Sequence, residues 1–417
     1  MNEPRSLAVR AAAPAFAVVL LAAAGTFALT MGARQSMGLF LNTLNSHTGL
    51  GLASISLAFA FGQLWWGLTQ PLAGIVADRY GAGRVLLVGL ALVALGTALI
   101  PVMSTTWGLI LAIGILSAGG AGMAGPAVLM AATTRLVSAD KRGMAAGVVN
   151  AGGSFGQFVF APIAQGITAA AGWAVALQSL AAFTLLALPA AWVLRTRAAA
   201  PATGGVAAAP GEGLRTTFSR ALALPSYRLL CAGFFVCGFH VAFIATHLPG
   251  VVASCQLSPE VGAWSLAVIG LFNILGSLTI GWALGYQGGR WRMKSLLSLI
   301  YAARALAVLV FLLAPKTPTN MLVFAAVIGF TFLSTVPPTA GLVARFFGPR
   351  HMATLFGVVM LSHQLGGFLG AYLGGKAFEW TGSYDWMWWA DIVLAVGASL
   401  VHLPIDERTA PALAHPA

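Results

Sequence analysis

Apolar runs long enough to cross hydrocarbon recur along this chain, and they constrain its fold more than any other feature. Splitting them at charged or Gly/Pro-rich breaks gives twelve candidate helices. The first six lie at 14–42, 50–77, 84–104, 106–136, 143–168 and 172–195. The second six lie at 227–253, 261–285, 292–314, 319–346, 351–378 and 384–404. At the helical rise, about 20 residues cover the roughly 30 Å apolar core of a bilayer. Only 8% of residues are charged, against about 25% in a soluble domain. The fold class expected is therefore an all-α membrane protein. The formal net charge of +12 would suggest nucleic acid if it formed a patch, but the basic residues are scattered in short clusters between apolar runs. Such clusters set orientation at a membrane surface, so no nucleic-acid partner is expected. The opening "MNEPRSLAVRAAAPAFAVVLLAAAGTFALT" has the basic start of a signal peptide. Its apolar run continues past the usual length of a signal core and reads as a retained first span. Three cysteines (Cys231, Cys237 and Cys255) without CxxC or Cys/His spacing give neither a disulfide framework nor a metal site.

Lysine and arginine set the orientation. The N-terminus, the loops after even-numbered spans, the central linker and the C-terminus hold 18 of the 22. The opposite loops hold only Lys316 and Lys376, while Arg34 and Arg304 lie inside spans. Both termini are therefore expected in the cytoplasm. The Ala/Pro/Gly-rich segment between the halves reads as a flexible linker. The expected organisation is a six-helix half at 1–195, a cytoplasmic linker at 196–225 and a second six-helix half at 226–417. The halves are related in sequence. "RLVSADKRGMAAGVVNAGGSFGQF" from Arg135 aligns without a gap on "RFFGPRHMATLFGVVMLSHQLGGF" from Arg345, a constant offset of 210. A similar offset relates Gly74 and Gly81 to Gly281 and Gly288, and brings Pro126 within a residue of Pro337. Two such halves can hold a solute between them near the midplane, and prolines in equivalent spans loosen the backbone where helices must bend.

"GIVADRYGAGR", residues 74 to 84, closes the second span. It resembles the major facilitator superfamily loop G-x-x-x-D-R-x-G-x-R/K-R/K, matched by Gly74, Asp78, Arg79, Gly81 and Arg84, with glycine at the usually basic position 83. The resemblance implies the twelve-helix major facilitator fold with two pseudo-symmetric halves. Asp78 is expected to latch one conformation at the positive N-terminal end of the eleventh span. Arg135 is assigned to the same latch. The counterpart "GWALGYQGGR" has Gly285 in place of the acid, so the second latch is expected to be lost. A narrower resemblance covers most of the chain. The pattern "KRGMAAGVVNAGGSFG" is similar to bacterial oxalate/formate-type and monocarboxylate transporters. A first-span cation followed by "GLFL" resembles the monocarboxylate family's lysine before a Val-Phe-Phe run, and Arg34 falls at that place. The resemblance implies an anion-binding role for Arg34 in a bacterial inner membrane. The eighth span lacks the Asp/Arg pair of monocarboxylate transporters, so proton coupling by that pair is not carried over. The fifth span, "GGSFGQFVFAPIAQG", lacks the Gly-Pro step of multidrug antiporters.

A charge at the bilayer centre costs about 2.5–3.5 kcal/mol on insertion scales, so each one calls for an explanation. Arg34 has no carboxylate in the cavity-lining spans away from their ends. A substrate carboxylate can be its counter-ion, held bidentately; backbone carbonyls or cavity water are the alternative. Arg304 and Asp391 are expected to be structural, with an Arg304–Asp391 pair as one arrangement, because the ninth and twelfth spans pack peripherally in this architecture. His240 and His247, seven apart, share one face of the seventh helix and are candidates to orient the substrate or carry a proton. His363 and Gln364 stand opposite Gly153 and Ser154 in the repeat, which suggests an asymmetric cavity wall. Asn150 and Asn273 are weaker substrate-binding candidates, since amides also join helices. No Walker pattern, metal-ligand set or nucleophile triad is present, so neither a cofactor nor enzymatic chemistry is expected. The expectation is a monomeric secondary transporter of small organic anions, monocarboxylates or short dicarboxylates, by proton symport or anion exchange. The alternatives are an exporter of amphipathic compounds and, from another class, a substrate-sensing receptor.

Overall fold

A computed structural model describes residues 15–138, 141–195, 214–285 and 291–408, and the regular structure in them is helical. The membrane-length helices of the first half are α1 (Phe16–Thr48), α2 (Leu52–Tyr80), α3 (Ala82–Val102), α4 (Thr106–Leu136), α5 (Arg142–Ala171) and α6 (Trp173–Val193). Those of the second are α7 (Pro225–Ser254), α8 (Pro259–Gly285), α9 (Met293–Leu313), α10 (Pro318–Gly348), α11 (Thr354–Thr381) and α12 (Asp385–His402). Ten of them are both long and apolar enough to cross a membrane. The remaining two are more polar: α5, 30 residues long, carries Asn150, Gln157 and Gln165 among its glycines, and α12, 18 residues long, carries Asp385 and Asp391. Much of the linker, residues 196–213, lies outside the described residues, as does Gly288 of the lost-latch segment.

Several spans are interrupted where the sequence dictates it. α1 tightens into a 3₁₀ turn at Met37–Phe40, a short way beyond Arg34. α4 breaks at Ala124 and Gly125, ahead of Pro126. α10 breaks between Thr331 and Val336, ahead of Pro337 and Pro338. Proline lacks the N–H that would continue the ladder, and it pushes the preceding residue out of the helical region. The breaks fall at matching places in the two halves, as the repeat requires. Glycines at the 210-residue offset also perform matching tasks. Gly156 of α5 lets the helix approach the Ala28 carbonyl of α1, and Gly366 of α11 does the same at the Phe235 carbonyl of α7. A methyl group at either position would collide with backbone, so the close contact depends on the absence of a Cβ.

The first half packs around Val19, Phe27, Leu86, Leu90 and Leu129. The second is centred on Phe243, Phe311, Phe324 and Trp388. The halves meet at the end of the molecule away from the termini and at mid-depth. Gly38 of α1 abuts the Ala245 carbonyl of α7, and Gly375 of α11 abuts Ser56 of α2. Glu379 Oε1 of α11 accepts from the Ala53 N–H of α2 at 2.8 Å. Asn273 Nδ2 of α8 donates to Ser154 Oγ of α5 at 2.8 Å. At the terminus end the ion pairs among the described residues stay within one half, as in Asp78 with Arg135 and Arg345 with Glu407. Among the described residues, the hydrogen bonds between the halves lie far from the termini and at mid-depth.

Candidate functional site

A cleft between the halves is lined by Arg34, Gln35, Met37 and Gly38 of α1, Phe59, Gly62 and Gln63 of α2, Ile113, Ser117 and Ala118 of α4, and Ala245 and Thr246 of α7. Its walls leave about 410 Å³ with open solvent included, and little of that space is enclosed. Its walls are mostly apolar or small, and Arg34 is the one charged residue among the lining residues.

Arg34 is half-buried. Its Nη2 donates to Gln63 Oε1, and its Cζ sits 4.9 Å from the Trp66 ring centroid. Both partners are neutral. An amide oxygen and an aromatic face orient a guanidinium without cancelling its charge, so the fork keeps donors for an anion. Gln63 and Trp66 are one turn apart on α2, which places both on the side facing α1. Their part in the site was missed at the sequence level. The one available signal was that Gln63 and Arg34 lie at similar depths from the outer ends of neighbouring antiparallel spans.

The other candidates are scattered. Gln364 of α11 is buried against Gly67 of α2, one turn from the Gln63 level and across the interface between halves. His363 is buried beside the Phe234 ring at 4.9 Å, and neither ring nitrogen has a hydrogen-bond partner among the described residues. Asn150 is exposed on the terminus-end part of α5. Asn273 bridges to Ser154, and its Oδ1 accepts the Leu333 N–H at 3.0 Å.

The two α7 histidines do share a face, as their spacing requires, but that face points into the second half and not toward the cleft. His247 is fully buried, with Nε2 2.7 Å from the Ala371 carbonyl and its ring on Gly374. His240 stands between Arg304 and Asp391, 3.4 Å from each. Arg304 and Asp391 are thus linked through an imidazole instead of directly. Thr246, next to His247, lines the cleft together with Ala245.

The loop motif lies at the terminus end. Asp78, expected to face the start of α11, is paired with Arg135 of α4 inside its own half. Gly81 has φ +90°, a backbone region an L side chain rarely adopts, and it turns the chain from α2 into α3. Gly74 has open space around it, and Arg79 lies over the Tyr80 ring at 5.4 Å. Arg79 and Arg84 border a second hollow of about 1150 Å³, open solvent included, with Trp192 and Arg195. That hollow is formed by one half alone, so a solute passing between the halves would not cross it. A carboxylate does cap a helix of the opposite half, but at the other end of the molecule. There Glu379 meets the first turn of α2, whose cap residue Gly51 brings no side-chain acceptor.

The sequence profile of the Major Facilitator Superfamily matches residues 19–371 and 230–415. The chain is 24% identical to monocarboxylate transporter 13 of Bos taurus over 370 residues, 88% of this chain and 84% of that one. It is 27% identical to monocarboxylate transporter 11 of Mus musculus, covering 88% and 82%. It is 24% identical to the fujikurins efflux protein of Gibberella fujikuroi, covering 84% and 72%. Among solved structures, the fold resembles a bacterial homolog of the human lysosomal transporter Spinster in an inward-facing, unoccupied conformation. The TM-score is 0.78 at 15% identity, with 96% of this chain and 100% of that one covered. Together with twelve helices in two repeated halves, these matches identify the chain as a member of the major facilitator superfamily, a membrane transporter and not an enzyme.

Proposed function

We propose that this transporter carries small organic anions, monocarboxylates or short dicarboxylates, by alternating access between the half at 1–195 and the half at 226–417, joined by the linker at 196–225. One observation carries the reading: the single cation of the inter-half cleft, Arg34, is oriented by Gln63 and Trp66 but left without a carboxylate among its described partners. An incoming carboxylate supplies the missing charge and matches the guanidinium fork. Thr246 and Ser117 offer hydroxyls for a substrate's second polar group, and Met37, Phe59 and Ile113 receive its apolar part. Gln364, at the interface one turn away, contacts larger substrates, while Asn150 lies on the entry route. The similarity to monocarboxylate transporters supports the substrate class. His240, His247, His363 and Asn273 act in this reading through the packing and coupling of the second half, not by touching the anion.

The chain resides in a bacterial inner membrane with both termini cytoplasmic, so the cleft opens to the cytoplasm. Gly74, Asp78, Arg79, Gly81, Arg84 and Arg135 form a latch that rearranges as that side closes. Transport is proton symport or anion exchange. A second reading, export of amphipathic compounds, is favoured by the mostly apolar cleft and by the fungal efflux relative.

Counterflow in proteoliposomes loaded with lactate, pyruvate, succinate or a lipophilic cation separates these readings. The anion reading expects exchange of at least one carboxylate and its loss in Arg34→Gln. Exchange of the cation alone, unaffected by Arg34→Gln, would replace it with the export reading.

A further inference from the structure

Three ionisable side chains meet in the buried interior of the second half, away from the cleft. Arg304 of α9, His240 of α7 and Asp391 of α12 are each at most 1% exposed. Arg304 Nη1 lies 3.4 Å from His240 Nδ1, and His240 Nε2 lies 3.4 Å from Asp391 Oδ1. A guanidinium has no acceptor atom, so Nδ1 must be the bare nitrogen and the ring proton of neutral His240 sits on Nε2, toward the carboxylate. Neither Asp391 oxygen has a hydrogen-bond partner among the described residues. Ionisable groups in a membrane interior are costly, and proton relays are among the functions they mark.

The neighbours of this triad connect it to the rest of the fold. Arg304 Nη2 donates to the carbonyls of Thr331 and Phe332, which the break in α10 leaves without helical partners. The next residue, Leu333, donates its N–H to Asn273 of α8, and Asn273 donates to Ser154 in the other half. The remaining titratable groups around the triad are Cys237 of α7, 3.2 Å from Thr335, Tyr301 of α9, bonded to the Gly233 carbonyl, and His363 of α11. Among the described residues, α10 contributes the Thr331 and Phe332 carbonyls and the Thr335 hydroxyl, and α8 the Asn273 amide.

We propose that Asp391 and His240 form the proton-binding site of this transporter, and that the broken segment of α10 transmits its state to the interface between the halves. The proposal rests on the alternating-access reading and not on the identity of the cargo. With Asp391 ionised and His240 neutral, the triad carries no net charge. A proton taken by the pair leaves either a neutral carboxylic acid or an imidazolium, and in both cases one uncompensated positive charge. Arg304 then loses its counter-charge and is drawn toward water. It releases the Thr331 and Phe332 carbonyls, and the adjoining Leu333–Asn273–Ser154 contacts loosen with them. An anion at Arg34 and a proton at Asp391 together move no net charge.

The test needs no substrate. The full chain, with Cys231 and Cys255 replaced by serine, receives spin labels at Met144→Cys on α5 and Leu278→Cys on α8, both exposed. Their separation is read in nanodiscs from acid to alkaline buffer. The expected result is a distance distribution that changes with pH, loss of that change in Asp391→Asn, locked at the acid-side distribution, and retention in Asp391→Glu. Asn273→Ala should also flatten the response, and if Asp391→Asn does not fold, the pH response of the parent still tests the proton site. No pH response in the parent, or the full response in Asp391→Asn, overturns the proton site; the full response in Asn273→Ala overturns the transmission path. None of these outcomes bears on anion binding at Arg34.

Discussion

Replacing Glu379 by alanine should open the far end of the transporter. In the closed arrangement its carboxylate accepts the Ala53 N–H at 2.8 Å, across the interface between halves. That N–H belongs to the first turn of α2, where the backbone donors have no helical partners and the cap, Gly51, offers no side chain. A hydrogen bond to a charged group contributes about 1.5–3 kcal/mol, and a carboxylate at a helix N-terminus about 0.3–1 kcal/mol. Glu379 keeps 33% of its side-chain surface exposed and has Lys376 at 4.0 Å, so solvent screening lowers the total to about 1–2 kcal/mol. The contact exists only while the far end is closed, so its loss shifts the conformational equilibrium by that full amount, roughly 5- to 30-fold. Glu379→Gln keeps the acceptor oxygen and should shift the balance by less. Accessibility of a cysteine at Asn42 to a membrane-impermeant thiol reagent reads the open population. Equal labelling rates for the parent and Glu379→Ala would refute the capping argument, because a contact worth that much cannot vanish without moving the equilibrium.

Other substitutions separate orientation, packing and latch. Gln63→Leu removes the amide that holds Arg34 and should weaken carboxylate binding by about 1 kcal/mol, roughly fivefold, by calorimetry, with thermal stability little changed. His247→Ala breaks the bond to the Ala371 carbonyl and opens a cavity beside Gly374. It should cost about 2–4 kcal/mol of stability, seen as a lower melting temperature, while carboxylate affinity is kept. Asp78→Asn breaks an exposed pair with Arg135 and should change stability by about 1 kcal/mol or less in a melting assay. A much larger loss would assign that pair a supporting role it lacks in this geometry.

The membrane class, the twelve spans and the repeat were legible because length, apolarity and a 210-residue offset are properties of the chain itself. The polar fifth and twelfth spans could be read because flanking charges bracket them, even though their apolarity is weaker. Arg34 was legible for a similar reason, a permanent charge in an apolar run with no acid nearby. What the sequence could not specify was the direction in which a helical face points. The spacing of His240 and His247 places them on one face of α7, and only the packing of α9, α11 and α12 decides that this face is turned inward. Gln63 and Trp66 went unread because an amide or an indole within a span is ordinarily packing. Glu379 sits at a span end, where a carboxylate is unremarkable until the bare cap of α2 is found beside it. Asp391 was read as peripheral from its span, but the contact through His240 ties it to Arg304.

The central claim is that the Arg34 guanidinium is held for a solute's negative group. It is tested most directly by calorimetric binding of lactate and of its uncharged isostere lactamide to the parent chain and to Arg34→Gln. The account predicts that the parent binds lactate and discriminates against lactamide, and that Arg34→Gln loses about 2–4 kcal/mol of lactate affinity, roughly 30- to 1,000-fold, with lactamide unaffected. Equal affinity of the parent for anion and amide, or undiminished lactate binding in Arg34→Gln, would contradict it.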